Sequence, residues 1–259
     1  MRRYFGIAVA LVISLGMGGA AWAADMAVKA RPPAPIPVAV YNWTGFYVGL
    51  NAGGDWFDKD WAIPLTPFNI AGGCPGCPRP AGSHTGNSWL AGGQVGFNYQ
   101  IDRVVLGVEA QADWTDLRGS NSNLLVPGLL FNNSKTDAIG TIAARLGYTW
   151  GPALLYVKGG GAWAHDTFWT STAVNPVVQT LSDTRWGWMA GVGAEYAFAG
   201  NWSVKVEYDH LDFGRHREEL VCIAGCFQGF DYDVRQTVDL VKVGVNYRFG
   251  WASPVVARY

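Results

Sequence analysis

Apolar and polar residues alternate with a period of two along eight successive segments of the chain. The last segment shows the pattern clearly: valines and aromatic residues occupy one face from Val241 to Phe249, and Lys242, Asn246 and Arg248 occupy the other. Successive side chains of a β-strand point to opposite faces, so each segment predicts a strand with one apolar and one polar face. The predicted strands span about 43–55, 88–100, 104–115, 137–150, 154–166, 184–198, 202–212 and 236–249.

The connections between these strands alternate in length. Three are short, at 101–103, 151–153 and 199–201, and four are long, at about 56–87, 116–136, 167–183 and 213–235. Outer-membrane barrels have short periplasmic turns, longer extracellular loops and an apolar face toward lipid. We therefore predict an all-β protein, an eight-stranded antiparallel up-and-down transmembrane β-barrel over residues 43–249, with both ends in the periplasm.

Aromatic residues gather at both ends of the predicted strands. Amphipathic rings are enriched at the two membrane–water interfaces, whereas the core of a soluble β-sandwich would not place them at two separate levels. The predicted aromatic belts contain Trp43, Trp89, Trp114, Trp150, Trp163, Trp186, Trp188 and Trp202.

The N-terminus has the features of an export signal. Arg2 and Arg3 precede an apolar stretch, and Ala21-Trp22-Ala23 forms a small-x-small cleavage site, so we predict a signal peptide over 1–23. A transmembrane anchor is the alternative, but the apolar stretch is short for one. Four prolines between 32 and 37 predict an extended periplasmic linker over 24–42, and residues 250–259 are predicted to form a periplasmic tail.

Composition supports a membrane barrel and argues against a nucleic-acid partner. Charged residues make up 15% of the chain, below the roughly one quarter of an average soluble domain, and there are 13 Trp and 34 Gly. Loss of the two signal-peptide arginines lowers the net charge from −1 to −3, so no basic excess would attract nucleic acid.

The inward faces of the predicted strands carry charges of both signs. Eight strands enclose an interior just wide enough for side chains to fill, and buried charges require partners. We therefore predict a largely plugged lumen with a charge network of Glu109, Asp113, Arg145, Lys158, Arg185, Glu195, Lys205, Glu207, Lys242 and Arg248. The alternative is a charged eyelet that makes the protein a small porin for small solutes.

Four cysteines fall in two of the predicted outer loops. An exported protein meets an oxidising compartment, so Cys74, Cys77, Cys222 and Cys226 are disulfide candidates, with three connectivities open. The same four residues mimic a zinc site, and Cys74 to Cys77 has the spacing of a redox motif without its strand–helix context.

No sequence pattern indicates catalysis or a cofactor. The alternatives to solvated histidines at the rim are a haem- or metal-binding loop with His210 and His216, and a catalytic group of Asp212, His210 and His216 as in an outer-membrane protease or lipid-A enzyme. No phosphate-binding glycine loop stands out. We expect no enzyme activity, no cofactor and no metal.

Three stretches resemble the outer-membrane immunogenic protein group, the opacity-like porin family of Gram-negative bacteria, related to the OmpA membrane domain. They are 41–49 (YNWTGFYVG), 145–160 with its RLGY and LYVKGG pieces, and 195–208 with EY, Trp202 and VEY. The resemblance covers about residues 41–249. It implies a structural, surface-exposed antigen of the cell outer membrane, in contact with outer-membrane lipid and lipopolysaccharide, and no enzyme.

The resemblance also implies recognition of a terminal aromatic strand by the barrel-assembly machinery, here Val245, Tyr247 and Phe249. This chain departs from the pattern because it continues beyond Phe249 to Tyr259. A further alternative is an adhesin or ligand (haem) binder that uses a host or environmental ligand at loops 56–87 and 213–235. Aromatic residues at the predicted loop bases keep that alternative open: Trp56, Phe57, Trp61, Phe227 and Phe230.

Overall fold

The computed structural model describes residues 41–66, 76–124, 128–177, 179–219, 221–222 and 231–250. Nine β-strands make up this part of the chain, and no helix in it is long and apolar enough to cross a membrane. The strands are β1 Gly45–Ile63, β2 Arg79–Ile101, β3 Val104–Ser122, β4 Phe131–Trp150, β5 Ala153–Ser171, β6 Gln179–Ala199, β7 Trp202–Glu219, β8 Val221–Cys222 and β9 Asp231–Phe249.

The eight long strands form a closed antiparallel ring. Each pairs with its neighbours in the chain, and β9 closes the ring by pairing with both β7 and β1. The two-residue strand β8 lies outside the ring order and pairs with the first residues of β6. The predicted eight-stranded up-and-down barrel is therefore confirmed.

Three two-residue turns join strands at one end of the barrel, which we call the turn end. They are Asp102-Arg103, Gly151-Pro152 and Gly200-Asn201, each closed by the pairing of the residues that flank it. The first residue of each turn has a positive φ, and Asp102 adopts 51°, a conformation that Asp tolerates better than most residues. We call the opposite end of the barrel the loop end.

The strands are longer at the loop end than the sequence predicts. The predicted long loops were wrong in extent, because the connections at this end span only 64–78, 123–130, 172–178 and 220–230. Trp56, Phe57 and Trp61, predicted at loop bases, lie within β1. Phe227 and Phe230 lie outside the described residues.

Outward side chains divide the barrel into two regions. From the turn end to a level near Trp56 on β1 and Trp114 on β3, the outward residues are apolar and exposed. Val104, Leu106 and Val108 on β3 are examples. This lipid band spans about 11 residues of each strand, as a tilted membrane-spanning strand requires. Beyond it lies the extension, where outward residues are polar: Asp58, Asp60, Ser83, Thr85, Asp116 and Arg118.

Among the described residues, backbone pairing in the extension is interrupted at two places. The β2–β3 ladder ends at Leu90–Thr115, although β2 continues to Arg79 and β3 to Ser122. The β6–β7 ladder ends at Trp188–Asp212. These two seams lie on opposite sides of the ring, so the extension consists of two half-sheets, β7-β9-β1-β2 and β3-β4-β5-β6, and the two-residue β8 pairs with the outer end of β6.

Candidate functional site in the barrel lumen

Inward side chains fill the barrel in five layers between the turn end and the loop end. Apolar and polar layers alternate, as β5 shows with Leu154, Lys158, Ala162, Asp166 and Phe168 in turn. The turn-end cluster contains Trp43, Val105, Leu154, Tyr156 and Ala197. The charged layer contains Glu109, Asp113, Arg145, Lys158, Glu195, Lys205, Glu207, Asp209 and Lys242. The central apolar layer contains Phe57, Leu90, Leu117, Ile139, Ala143, Ala162, Ala164, Met189, Leu211, Phe213, Val238 and Leu240. The outer polar layer contains Lys59, His84, Ser134, Thr136, Asp166, Arg185 and Gln236. The outer apolar cluster contains Trp61, Ile63, Cys77, Ala81, Phe168, Tyr232 and Val234.

Three lysines surround one glutamate in the charged layer. The Glu207 carboxylate lies 2.6 Å from Lys158 Nζ, 3.3 Å from Lys205 Nζ and 3.4 Å from Lys242 Nζ. It also accepts a hydrogen bond of 2.7 Å from the Tyr156 hydroxyl. All of these groups are buried, so their charges attract one another with little screening by water.

A buried arginine extends this network toward the turn end. Arg145 donates to Glu195 at 2.9 Å and lies 3.4 Å from Glu109. It also donates to the Tyr47 hydroxyl at 2.6 Å, and its guanidinium carbon lies 3.9 Å from the centre of the Tyr156 ring. The planar guanidinium thus bridges two carboxylates while an aromatic face covers it, an arrangement that lysine would not reproduce.

Most of the predicted charge network lies together, and two members lie apart. Arg185 belongs to the outer polar layer, where it donates to Gln236 Oε1 at 3.1 Å and to the Val234 carbonyl at 2.5 Å. Arg248 lies half-buried near the turn end, 4.3 Å from the Tyr41 ring. The remaining eight predicted residues are buried in the charged layer.

Sequence reasoning missed an ion pair in the outer polar layer and one anion in the charged layer. Lys59 Nζ lies 3.0 Å from Asp166, which also accepts a hydrogen bond from the Thr136 hydroxyl. Asp209 lies 2.6 Å from Lys242. Asp209 was already visible on the polar face of the seventh predicted strand, whereas Lys59 was hidden because the first strand was ended too early.

Contacts between the half-sheets replace the missing ladder at the β2/β3 seam. The His84 ring lies 3.0 Å from Asn121 Oδ1 and 2.9 Å from Ser134 Oγ, so one imidazole joins β2 to β3 and β4. A Cβ on Gly119 would lie 2.1 Å from the His84 ring, so this close packing requires glycine. The Ala81 carbonyl closes the outer end of the seam by accepting from Leu124 N at 3.2 Å.

The belt prediction for Trp43 is corrected by the structure. Its side chain is 2% exposed and occupies the lumen at the turn end, where Nε1 donates to Thr149 Oγ1 at 2.9 Å. Its backbone N–H donates to Gln100 Oε1 at 2.7 Å. The residue precedes β1, so strand alternation does not fix its direction. The other predicted belt tryptophans are on outward faces: Trp163 is half-buried, and Trp89, Trp114, Trp150, Trp186, Trp188 and Trp202 are exposed.

The remaining predicted site residues are only partly described. Cys77 is buried and disulfide-bonded, Cys74 and Cys226 lie outside the described residues, and the Cys222 side chain is not described. Val245 and Phe249 lie exposed on the outward face of β9, and Tyr247 there is half-buried. The proposed signal peptide, the linker up to residue 40 and the tail from 251 also lie outside the described residues.

The histidines and acids at the rim do not form the group suggested from the sequence. His210 Nδ1 lies 2.8 Å from Asp239, which also accepts from the Tyr208 hydroxyl at 2.6 Å. Asp212 lies 3.4 Å from Arg235 instead, and His216 is exposed. No group of three or more His, Cys, Asp or Glu residues suited to a metal ion occurs in the described part of the chain.

Comparison with known families identifies the barrel. The model of the family described as "Outer membrane protein beta-barrel domain" matches residues 10–249. The chain belongs to this outer-membrane barrel family. It is 34% identical over 241 residues to the 31 kDa outer-membrane immunogenic protein of Brucella melitensis, covering 88% of this chain and 93% of the relative. It is 29% identical over 254 residues to the 25 kDa outer-membrane immunogenic protein of Brucella abortus, covering 96% of this chain and 100% of the relative.

Solved structures agree with the family at the level of the fold. The outer membrane protease OmpT from Escherichia coli superimposes with a TM-score of 0.51 at 9% identity, covering 79% of this chain and 97% of OmpT. At this identity the likeness concerns the fold alone. As a member of the outer-membrane barrel family, the protein resides in the outer membrane of Gram-negative bacteria, embedded in its lipid.

Proposed function

We propose that this protein is a structural, surface-exposed component of the outer membrane whose lumen is closed to solutes. The observation that carries the proposal is the stacking of three apolar clusters and two polar layers along one narrow lumen. An ion crossing the central apolar layer would lose its hydration and find no polar partner, at a cost of several kcal/mol or more.

The charged layer supports the same proposal. Glu207, Lys158 and Arg145 are each within 3 Å of an oppositely charged group or of a phenolic hydroxyl, and each is at most 5% exposed. Their side chains therefore occupy the space that a solute would need. The small-porin alternative requires these contacts to break and the central apolar layer to open as well.

Aromatic and arginine side chains close the lumen at the turn end. Trp43 packs in the turn-end cluster, and Tyr41 packs against it with the ring centroids 4.9 Å apart. Arg248 covers Tyr41 from the side of β9. These contacts close the mouth through which a periplasmic solute would enter, if the turn end faces the periplasm as the family topology implies.

Planar-bilayer recording of the purified protein tests the closed lumen. We expect no stable open state in the wild type, and none in Trp43→Ala, because the central apolar layer remains. Phe57→Gly with Phe213→Gly removes two large side chains from that layer and is expected to introduce brief ion-conducting openings. A stable wild-type open state that also admits sugars in a liposome-swelling assay would overturn the proposal.

The loop end is proposed to face the cell exterior and to present the extension as an antigenic surface. We also propose that the assembly machinery reads Val245, Tyr247 and Phe249 on the final strand, and that the protein has no enzymatic activity or cofactor. Support for the last point comes from the curated relatives, which are named as outer-membrane immunogenic proteins. A second candidate is an adhesin or ligand binder that acts through the loops predicted at 56–87 and 213–235, of which 64–78 and 220–230 lie between the long strands. Deletion of one of these loops, followed by a binding measurement, tests it.

A further inference from the structure

A trough lies on the outer surface of the extension, beside the outer end of the β2/β3 seam. Its volume is about 560 Å³, within the range of small-molecule sites, and it is open to the exterior. A β-bulge causes it: Trp61 pairs with Gly82 and Ala62 with Pro80, which leaves Ala81 unpaired with β1. The trough is lined by Asp60, Trp61, Ala62, Pro80, Gly82, Ser83, Asn121, Ser122, Leu124 and Arg215.

Three polar side chains of the trough have no hydrogen-bond or ion-pair partner among the described residues: Asp60, Ser83 and Arg215. Two further polar side chains in the wall are already engaged. Asn121 bonds to His84 and to the Ala81 carbonyl, and Ser122 Oγ accepts from Gly128 N. The trough therefore offers one carboxylate, one hydroxyl and one guanidinium to a ligand.

The position of Arg215 favours an anion at one end of the trough. Arg215 lies directly opposite Arg235 in the β7–β9 ladder, and like charges in that position repel. Arg235 has Asp212 at 3.4 Å, Arg217 has Asp233 at 3.3 Å, and Arg118 has Asp116 at 2.9 Å. Arg215 has no such carboxylate, so a bound anion would relieve the repulsion and supply its missing partner.

The rest of the trough favours hydroxyl groups beside that anion. Asp60 lies next to Arg235 on one side and next to Ser83 on the other, as the strand pairs Asp60–Arg235 and Asp60–Ser83 show. A carboxylate accepts hydrogen bonds from neighbouring hydroxyls, and Ser83 both donates and accepts. Pro80 and Leu124 supply apolar contacts at the rim. The negative charge of Asp60 also partly neutralises Arg215 and Arg235, so a ligand with several negative charges would gain little affinity here.

From this geometry we propose that the trough binds a saccharide that carries one phosphate or carboxylate group. The anionic group lies against Arg215 and Arg235, sugar hydroxyls bond to Asp60 and Ser83, and a C–H face of the ring contacts Pro80 and Leu124. The trough lies beyond the lipid band on the outer surface, so the ligand is either a free sugar phosphate or the sugar of a lipid in the same leaflet. The inference is independent of whether the lumen conducts.

Titration calorimetry on the full barrel in detergent micelles tests the site, with glucose 1-phosphate, glucose and inorganic phosphate as probes. We expect saturable millimolar binding of glucose 1-phosphate and binding at least tenfold weaker for each of the other two. No saturable binding of glucose 1-phosphate would overturn the proposal. Inorganic phosphate binding as tightly as the sugar phosphate would overturn the saccharide part and leave a simple anion contact.

Two variants locate the binding in the trough. Arg215→Gln removes the anion partner, and Ser83→Leu fills the trough from an exposed outward position, so neither disturbs the core. Each is expected to weaken glucose 1-phosphate binding at least tenfold. Arg118→Gln is the matched control, an exposed arginine of the extension outside the trough, and is expected to bind as the wild type does. Equal weakening in the control would contradict the assignment.

Reconstitution identifies the source of the ligand. In bilayers of phosphatidylcholine alone, glucose 1-phosphate should bind as in micelles. In bilayers whose outer leaflet contains lipopolysaccharide, weaker binding of glucose 1-phosphate would show that the lipid's sugar occupies the trough. Unchanged binding would show that the ligand is a free sugar phosphate. Either result supports a saccharide site, whereas loss of binding in phosphatidylcholine bilayers would contradict one on the exposed surface.

Discussion

The lipid band and the extension use the same eight strands in opposite ways. In the band the ladder closes around the whole ring, apolar residues face outward and charges fill the interior. In the extension two half-sheets face each other across the outer polar layer and the outer apolar cluster, with polar residues outside. Lipid cannot satisfy an open strand edge, so the band must close. Water can, so the extension is free to separate at two seams.

Along a single strand, the faces that carry apolar and polar residues change at the boundary between the lipid band and the extension. On β1 the outward residues run from Phe46 to Trp56 and then become Asp58 and Asp60, while the inward residues change from Asn51 and Asp55 to Phe57, Trp61 and Ile63, with the buried Lys59 between Phe57 and Trp61. The period of two is kept along the whole of β1. The face that carries most of the apolar residues changes, because the environment outside the barrel changes from lipid to water.

The largest effect is expected for removal of a central charge from the band. Lys158→Ala leaves Glu109, Glu207 and Asp209 buried without one of their cations, and the free energy of unfolding should fall by about 3–5 kcal/mol. Urea unfolding of the refolded barrel measures this loss of unfolding free energy. Lys59→Ala in the extension removes the lysine that pairs with Asp166, outside the three-carboxylate cluster of the charged layer, and should cost less.

Lys135→Ala is the control for both lysine variants. Lys135 is partly exposed, lies 3.7 Å from Asp116 and 3.6 Å from Asp137, and should change stability by less than about 1 kcal/mol. If Lys158→Ala and Lys135→Ala unfold at the same urea concentration, the charged layer does not stabilise the band.

A charge placed on the outward face of β1 should distinguish the two regions directly. Leu50 is 75% exposed and faces lipid, so Leu50→Arg should destabilise the barrel by about 2–4 kcal/mol. Asp58 lies on the same strand and face but in the extension, so Asp58→Arg should be nearly neutral. Comparable losses for both variants in bilayer-embedded protein would contradict the boundary at Trp56.

The smallest effect is expected at the β2/β3 seam. His84→Ala removes the side-chain link from β2 to Asn121 and Ser134 and should cost about 1–2 kcal/mol, confined to the extension. Thr85→Ala, at the exposed neighbouring position, is the control and should behave as the wild type. Local hydrogen exchange across 79–89 reports the change. Unaltered exchange in His84→Ala would show that the imidazole does not hold the seam.

The sequence predicted the band well and the extension poorly for one physical reason. Val104, Leu106 and Val108 alternate with Glu109, Gln111 and Asp113, so both the strand and its lumen charges were readable. Lys59 and Asp166 were missed because the apolar outward pattern that defined each strand ends at the lipid boundary. Trp43 was misplaced because it precedes the first strand. The seams depend on a bulge and on long-range packing, such as that of His84 on Gly119, which periodicity does not encode.

Hydrogen exchange of the bilayer-embedded barrel, resolved by peptide, tests the division into a closed band and a split extension most directly. In the band, all eight strands should be protected to a similar degree. In the extension, the seam segments 82–89, 116–122, 181–187 and 213–217 should exchange faster than 57–63 of β1, which is paired on both sides. Equal protection of the seam segments and 57–63 would contradict the account.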